Sequence, residues 1–346
     1  MLSCVCDKKT GYLRQVFYII YCMKNVYILV MEGGMPDSIF SAKHLFSAVN
    51  GFFENKGQPP YFNIQFVGIT EQVKLFEGLI TIYPELHIDQ AENADLIVIP
   101  ALSPALAGNI HVGIDMNSGF KQWIVDQYNN GAEVASLCIG AFVLASTGLL
   151  NDKYCSTHWL FANEFRKLFP DVKLVAEKII TDQKGLYSSG GANLTWNLLL
   201  YLVEKYTNRE MAILASKYFL LDFGRDNQSS FFIFEGQKDH NDEKIASVQV
   251  YIENHYHTKL TIDDLAVKFG IGRRTFERRF KKATTNTINE YIQRVKIEAA
   301  KKQIESSRKN VQEVMLDVGY TDINAFREVF KKVVGMSPVD YRKRYA

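Results

Sequence analysis

Two stretches of this chain repeat one pattern about 50 residues apart, and that duplication narrows what the C-terminal third can fold into. In the first, Thr261–Lys282 (TIDDLAVKFGIGRRTFERRFKK), Leu265, Ala266 and Phe269 recur at helical spacing. Thr261 stands where an N-cap is wanted, and Asp263 and Asp264 complement the positive end of the helix dipole. Gly270-Ile271-Gly272 breaks the pattern. A second helix is predicted beyond it, with Phe276 and Phe280 turned to a core and Arg273, Arg274, Arg278 and Arg279 turned outward. In the second stretch, Val311–Lys331 (VQEVMLDVGYTDINAFREVFK), Val311, Val314, Met315 and Val318 form the first apolar stripe and Gly319 ends it. Asp322 then caps a helix whose Phe326 and Phe330 repeat the buried pair.

One such hairpin is weak evidence, because a helical hairpin with a solvated basic face meets the same pattern. Two of them, joined by an amphipathic helix at Ile288–Ser306, describe a pair of helix-turn-helix motifs. The predicted apolar face of the joining helix is Ile288, Tyr291, Ile292, Val295 and Ala299.

Charge says which partner suits this region. Residues 244–346 carry 21 Lys/Arg against 12 Asp/Glu, a net +9, whereas residues 1–243 carry 19 against 26, a net −7. A polyanion is expected for the C-terminal third alone, and double-stranded DNA fits the paired motifs. Asn324 and Arg327 face outward and suit base edges, Asn pairing with adenine and Arg with guanine. Lys281 and Lys331 are better placed for phosphate.

The acidic body alternates strands and helices. Asn25–Met31, Tyr61–Ile69, Asp95–Pro100 and Glu133–Leu137 are continuous apolar runs, as expected of parallel strands covered on both faces. Helices are predicted around Asp37–Phe53, Phe120–Asn130, Ala141–Thr147 and Asn193–Tyr206, and short strands at Val172–Glu177, Ile179–Asp182 and Gly185–Ser188. The fold class is α/β: a doubly wound, flavodoxin-like parallel-sheet domain followed by an all-α domain with two helix-turn-helix motifs. Residues 1–22 read as an extension outside any domain, 23–221 as the α/β domain, 222–243 as a polar linker and 244–346 as the helical domain.

Cys138 sits where a strand runs into a helix, a position at which the helix dipole lowers a thiol pKa. His158, twenty residues on, is its candidate partner, so ligand or redox sensing is the role considered for the pair. The rival is a cysteine-dependent hydrolase using Cys138 and His158. Gly190-Gly191 before a helix serves either an anion or close packing. His255 and His257 lack a third ligand at suitable spacing, so neither a metal nor a cofactor is expected. Five Cys without a CxxC pair suit a reducing cytoplasm.

Residues 246–346 closely resemble the AraC/XylS family DNA-binding domain. The resemblance rests on LAVKFGIGRRTFERRFK, on VGYTDINAFREVFKKVVGMSPVDYR and on the intervening helix with Arg294 and Ala299. It implies that the base-facing positions are Arg274, Glu277 and Arg278 in one recognition helix and Ile323, Asn324, Arg327 and Glu328 in the other. The body resembles the PfpI/class I glutamine-amidotransferase-like domain through VASLCIGAFVLASTGLLNDKYCSTHW, IVIPAL and SSGGANLTWNLLLYLVE. The order of the two is that of the GlxA-type regulators. A transcription regulator, homodimeric and cytoplasmic, is implied, with a small-molecule effector and RNA polymerase as further partners and no membrane. Catalytic relatives place a carboxylate beside the Cys; here Ser38 holds that position, Glu32 and Asp37 lie nearby, and Ile139 follows the Cys where the proteases often have His.

Overall fold

The computed structural model describes residues 23–104, 109–222, 227–238 and 240–346. The extension expected at residues 1–22 lies outside them. Strand β1 (Lys24–Leu29) leads through a turn into α1 (Pro36–Asn55), which starts on Pro36 at N1 with Asp37 in its first turn. After β2 (Phe62–Gly68) come the hairpin β3 (Val73–Leu75) and β4 (Ile80–Ile82), then β5 (Leu86–His87), β6 (Leu96–Ile99), α2 (Ile110–Met116) and α3 (Phe120–Asn129). The remainder of the domain is β7 (Glu133–Ser136), α4 (Ala141–Ser146), β8 (Tyr154–Cys155), α5 (Ala162–Leu168), β9 (Lys173–Leu174), β10 (Ile180–Gln183), β11 (Leu186–Ser189), α6 (Thr195–Tyr206) and α7 (Arg209–Tyr218).

Seven strands form one sheet in the order β10-β11-β7-β6-β1-β2-β5, parallel except at the β10 edge. The apolar runs have a plain cause. Along β1, Val26 and Ile28 enter the core under α1, α6 and α7, while Tyr27 and Leu29 enter the core under α2 to α5. Both faces are covered, so the strand shows no polar alternation. The strand expected at Val172–Glu177 is shorter, because Lys173 and Leu174 have only the two-residue β8 to pair with.

The second domain is helical: α8 (Glu243–His255), α9 (Ile262–Lys268), α10 (Arg273–Thr284), α11 (Ile288–Ser306), α12 (Val311–Asp317), α13 (Ile323–Val334) and α14 (Pro338–Tyr345). Helix α11 passes two cores in turn. Tyr291, Ile292 and Val295 pack with α8 to α10, and Ile297, Ala300 and Ile304 pack with α12 to α14. Its buried stripe therefore shifts midway, leaving Ala299 only half-buried, where a single continuous face was expected. Among the described residues no helix is long and apolar enough to cross a membrane.

Candidate functional site

Each half of the helical domain builds the same unit. Thr261 Oγ1 accepts the Asp264 amide at 3.1 Å to start α9, and Gly270 turns the chain with φ +59° before α10. Phe276 and Phe280 are fully buried with ring centroids 5.9 Å apart, which rotates the other side of α10 to solvent. In the second unit Asn310 caps α12, Gly319 turns with φ +76°, and Asp322 Oδ1 accepts the Ala325 amide at 2.7 Å to start α13. Phe326 and Phe330 repeat the buried pair.

The duplication runs further than the two hairpins. Thr285 (φ +60°) and Gly335 (φ +83°) end α10 and α13 in the same left-handed conformation. Thr287 and Ser337 cap the next helices, and Tyr291 and Tyr341 pack edge-on against Phe280 and Phe330. Tyr291 donates to Glu253 and Tyr341 to Glu305. The same 50-residue offset in the sequence would have revealed these pairs.

Arg274, Arg278, Lys281, Asn324, Arg327 and Lys331 are all exposed on α10 and α13. Arg274, Arg278 and Lys281 line a groove of about 630 Å³ with Glu277 and the first residues of α11. Arg273 is exposed but engaged, pairing with Asp263 at 2.9 Å and Glu277 at 3.4 Å. Such exposed pairs are screened by water and weak, so a phosphate displaces them at little cost. Two outward assignments need correction. Arg279 turns back to α8, donating to both oxygens of Asp242 at 2.6 and 2.9 Å, and the pair anchors α10 to the α8 N-cap. Ile323 is half-buried against the second core, leaving Asn324, Arg327 and Glu328 as the exposed positions of that set.

At the other candidate site Cys138 follows β7 with φ +54°, a conformation costly for a residue with a Cβ. Its amide donates to Ser189 Oγ at 3.1 Å, and its carbonyl accepts from Thr157 Oγ1 at 3.1 Å. The expected lowering of its pKa is not found. The thiol is buried, and burial pushes it up to about 11, against the smaller favourable effect of the Ala192 and Ile139 amides; Asp37 adds to the rise. The element that follows is a single 3-10 turn before the six-residue α4, too short to offset desolvation. Cys155 lies in the core and is raised to about 12 by burial.

His158 is not placed as a base. Its Nδ1 accepts the Leu160 amide at 3.1 Å, so the ring proton belongs on Nε2, and burial lowers its pKa. No hydrogen bond joins it to Cys138 among the described residues. Ser38 accepts the Ala101 amide at 2.9 Å and donates to the Met35 carbonyl, so its hydroxyl is engaged by backbone groups. His255 Nδ1 bonds the Tyr251 carbonyl at 2.9 Å and its ring stacks on Tyr251.

Between the two regions lies a segment read from sequence as a polar linker. Gln228 in it is fully buried. Its side chain donates to the carbonyls of Thr157 (3.0 Å), Ala176 (2.6 Å) and Lys178 (3.3 Å) and accepts the Gly191 amide (3.2 Å). Gly190 and Gly191 are required here, since a Cβ would lie 2.6 Å from Gln228 Oε1 and 1.9 Å from His158 Cδ2 respectively. This decides for close packing over an anion site, as the Gly191 amide already has its acceptor. The other side of the segment grips the helical domain. Lys301 donates to the Phe232 carbonyl, the Phe234 amide donates to Glu298 at 3.2 Å, and Arg344 lies over the Phe231 ring.

Comparison with known proteins matches both regions. A helix-turn-helix domain model covers residues 265–344, and a DJ-1/PfpI family model covers residues 59–205. The chain is similar to the HTH-type transcriptional regulator GbdR of Pseudomonas aeruginosa, 23% identical over 273 residues, spanning 79% of this chain and 72% of that one. It is 35% identical over 102 residues to an uncharacterized HTH-type transcriptional regulator of Pseudoalteromonas carrageenovora, 30% of this chain and 60% of that one. A solved structure from Vibrio parahaemolyticus shares the fold of 57% of this chain over 99% of its own, with a TM-score of 0.50 and 21% identity.

Proposed function

We propose that this chain, an AraC-type helix-turn-helix regulator carrying a DJ-1/PfpI-family domain, reads two successive major-groove segments of one operator and couples that reading to a sensing event in its first domain. The observation that carries the proposal is the pair of equivalent recognition helices. Both α10 and α13 are held by two buried Phe against one shared helix, and both turn basic side chains to solvent, with Asn324 beside them on α13. Arg274, Arg278, Asn324 and Arg327 are assigned to base edges, and Arg273, Lys281 and Lys331 to phosphates. Helices docked side by side in one groove face sit about one DNA turn apart, roughly 34 Å.

The first domain is assigned to sensing rather than hydrolysis. A thiol raised to about 11 is almost wholly protonated at neutral pH, and the His158 Nδ1 lone pair that a base would use is taken by the Leu160 amide. Small-molecule or redox input near Cys138 would pass through the Gly190–Gly191 strand end to the Gln228 segment and on to α11. Homodimerisation through the acidic domain, a cytoplasmic setting and contact with RNA polymerase complete the reading.

The test is selection of bound duplexes from a randomised library by the full-length protein, followed by footprinting. A selected site with two protected major-groove segments per protomer supports the function. Retention without sequence enrichment, or one protected segment, overturns it. Turnover of ester and amide probes equal in wild type and Cys138→Ala is expected; activity lost with the cysteine restores the hydrolase reading.

A further inference from the structure

Helix α11 carries Lys296 at the point where its buried face passes from the first core to the second, between Val295 and Ile297. The residue is 7% exposed. Its ammonium donates to the carbonyls of Val318 and Gly319 at 3.1 Å each and of Thr258 at 3.3 Å, and no acid among the described residues pairs with it. The Tyr320 ring lies 5.4 Å away. The three carbonyls come from two parts of the domain. Thr258 lies between α8 and α9 of the first unit, while Val318 and Gly319 form the turn that aims α13 in the second. The two parts also touch directly, since a Cβ on Gly319 would sit 2.3 Å from the His257 carbonyl oxygen.

An aliphatic side chain would fill this space without the desolvation cost of a buried ammonium. What it would lose is direction: three hydrogen bonds from one atom fix how far apart the two segments sit and how they are rotated. We propose that Lys296 is a positioning residue that sets the separation and phase of the two recognition helices, and with them the spacing of the operator segments this protein accepts. The inference rests on the DNA-reading function above. Lys296 touches no DNA; it acts through α13.

The experiment uses the full-length chain, the duplex it selects from a randomised library, and versions of that duplex with one base pair added or removed between the two protected segments. Wild type is expected to lose about tenfold or more in affinity on each altered spacing, the scale of one mismatched contact. Lys296→Met keeps the length and removes the donors; it is expected to discriminate the spacings by less than about threefold. Lys296→Arg, which can still donate to the carbonyls, is expected to restore part of the preference. Val295→Ala is the control: it loosens the adjoining core, lowers the melting temperature and keeps the wild-type preference. If Lys296→Met does not fold, Lys296→Gln, which is shorter and cannot donate to all three carbonyls, is read in its place. A folded variant of either kind that keeps the wild-type spacing preference overturns the proposal while leaving DNA reading intact. A wild type that selects no site overturns DNA reading itself, and this proposal with it.

Discussion

Gln228 Oε1 accepts the Gly191 amide at 3.2 Å, and through that bond a buried side chain of the connecting segment holds the turn that covers Cys138. The next residue, Ala192, supplies the amide that meets the thiol. Gln228→Ala takes their partner from the Gly191 amide and from the Thr157 and Ala176 carbonyls in a closed site, while the Lys178 carbonyl keeps its bond from Ser156. A loss of about 1–3 kcal/mol in the first domain's stability is expected, together with faster proteolysis of the connecting segment. Both are read by limited digestion and by tryptophan fluorescence, as Trp123, Trp159 and Trp196 all lie in that domain. Wild-type digestion kinetics in the variant would show that the segment is not held by this bond.

Arg278 and Arg327 occupy outer positions of α10 and α13. If each reads a guanine, alanine at either costs about 1–3 kcal/mol on the selected site and relaxes preference at one base pair. Lys281→Ala and Lys331→Ala should instead weaken all sequences alike and reduce the salt slope by about one. Binding to a randomised library separates the cases. Uniform loss across all sequences for both arginine variants would assign them to phosphate.

How much of this was legible in the sequence follows from how local each feature is. The caps Thr261 and Asp322, the turns at Gly270 and Gly319 and the paired Phe are all set within a few residues, and each was readable. The continuous apolar run of β1 was readable too, since burial on both faces removes alternation. What escaped depends on partners distant in sequence. Gln228 sits in a polar run and is buried only because three carbonyls from residues 157–178 converge on it. Arg279 looked like its neighbours until Asp242 claimed it. The Cys138 thiol was read from its helix, whereas its pKa answers first to the packing around it.

The three turn positions make separable stability predictions. Gly270→Ala puts a Cβ on a left-handed residue in open space and should cost about 1 kcal/mol. Gly319→Ala carries the same strain plus a backbone clash with His257 and should cost more than about 3 kcal/mol. Thr285 runs the other way. It is β-branched at φ +60°, where the second unit has Gly335, so Thr285→Gly should gain up to about 1 kcal/mol. Helix loss followed by circular dichroism in denaturant ranks the three. Equal costs for the two alanine variants would refute the crowding at Gly319.

Burial lowers the His158 pKa, and its Nδ1 lone pair is spent on Leu160, so the folded state holds the ring neutral. The unfolded chain protonates it near pH 6.5. Below that pH the unfolded state binds the extra proton, so the stabilisation present at pH 7.5 declines as pH falls through the folded pKa. Melting temperatures should therefore drop as pH falls below about 6.5. His158→Gln, which offers the Leu160 amide an oxygen that does not titrate, should flatten that drop. A variant with the wild-type slope would place the pH dependence on another group.

The buried thiol gives the last prediction. With its pKa raised to about 11, Cys138 is thiolate in roughly one molecule in ten thousand at pH 7. Alkylation of Cys138 in the folded protein should therefore run on the order of a hundredfold slower than in the unfolded chain, as read by mass spectrometry. An input that reaches this site must first open the Gly190–Ala192 turn, and on the proposed coupling that turn is tied through Gln228 to α11. Operator DNA and the input then act on one equilibrium, so each must alter the other's affinity by the same factor. Cys138→Ser should keep basal operator affinity and change the response to oxidant or effector. If the serine variant keeps the complete response, Cys138 is a packing residue and the input enters elsewhere in the domain. If wild-type Cys138 alkylates as fast as the unfolded chain, the thiol is not shielded, and the case against its acting as a nucleophile falls with it.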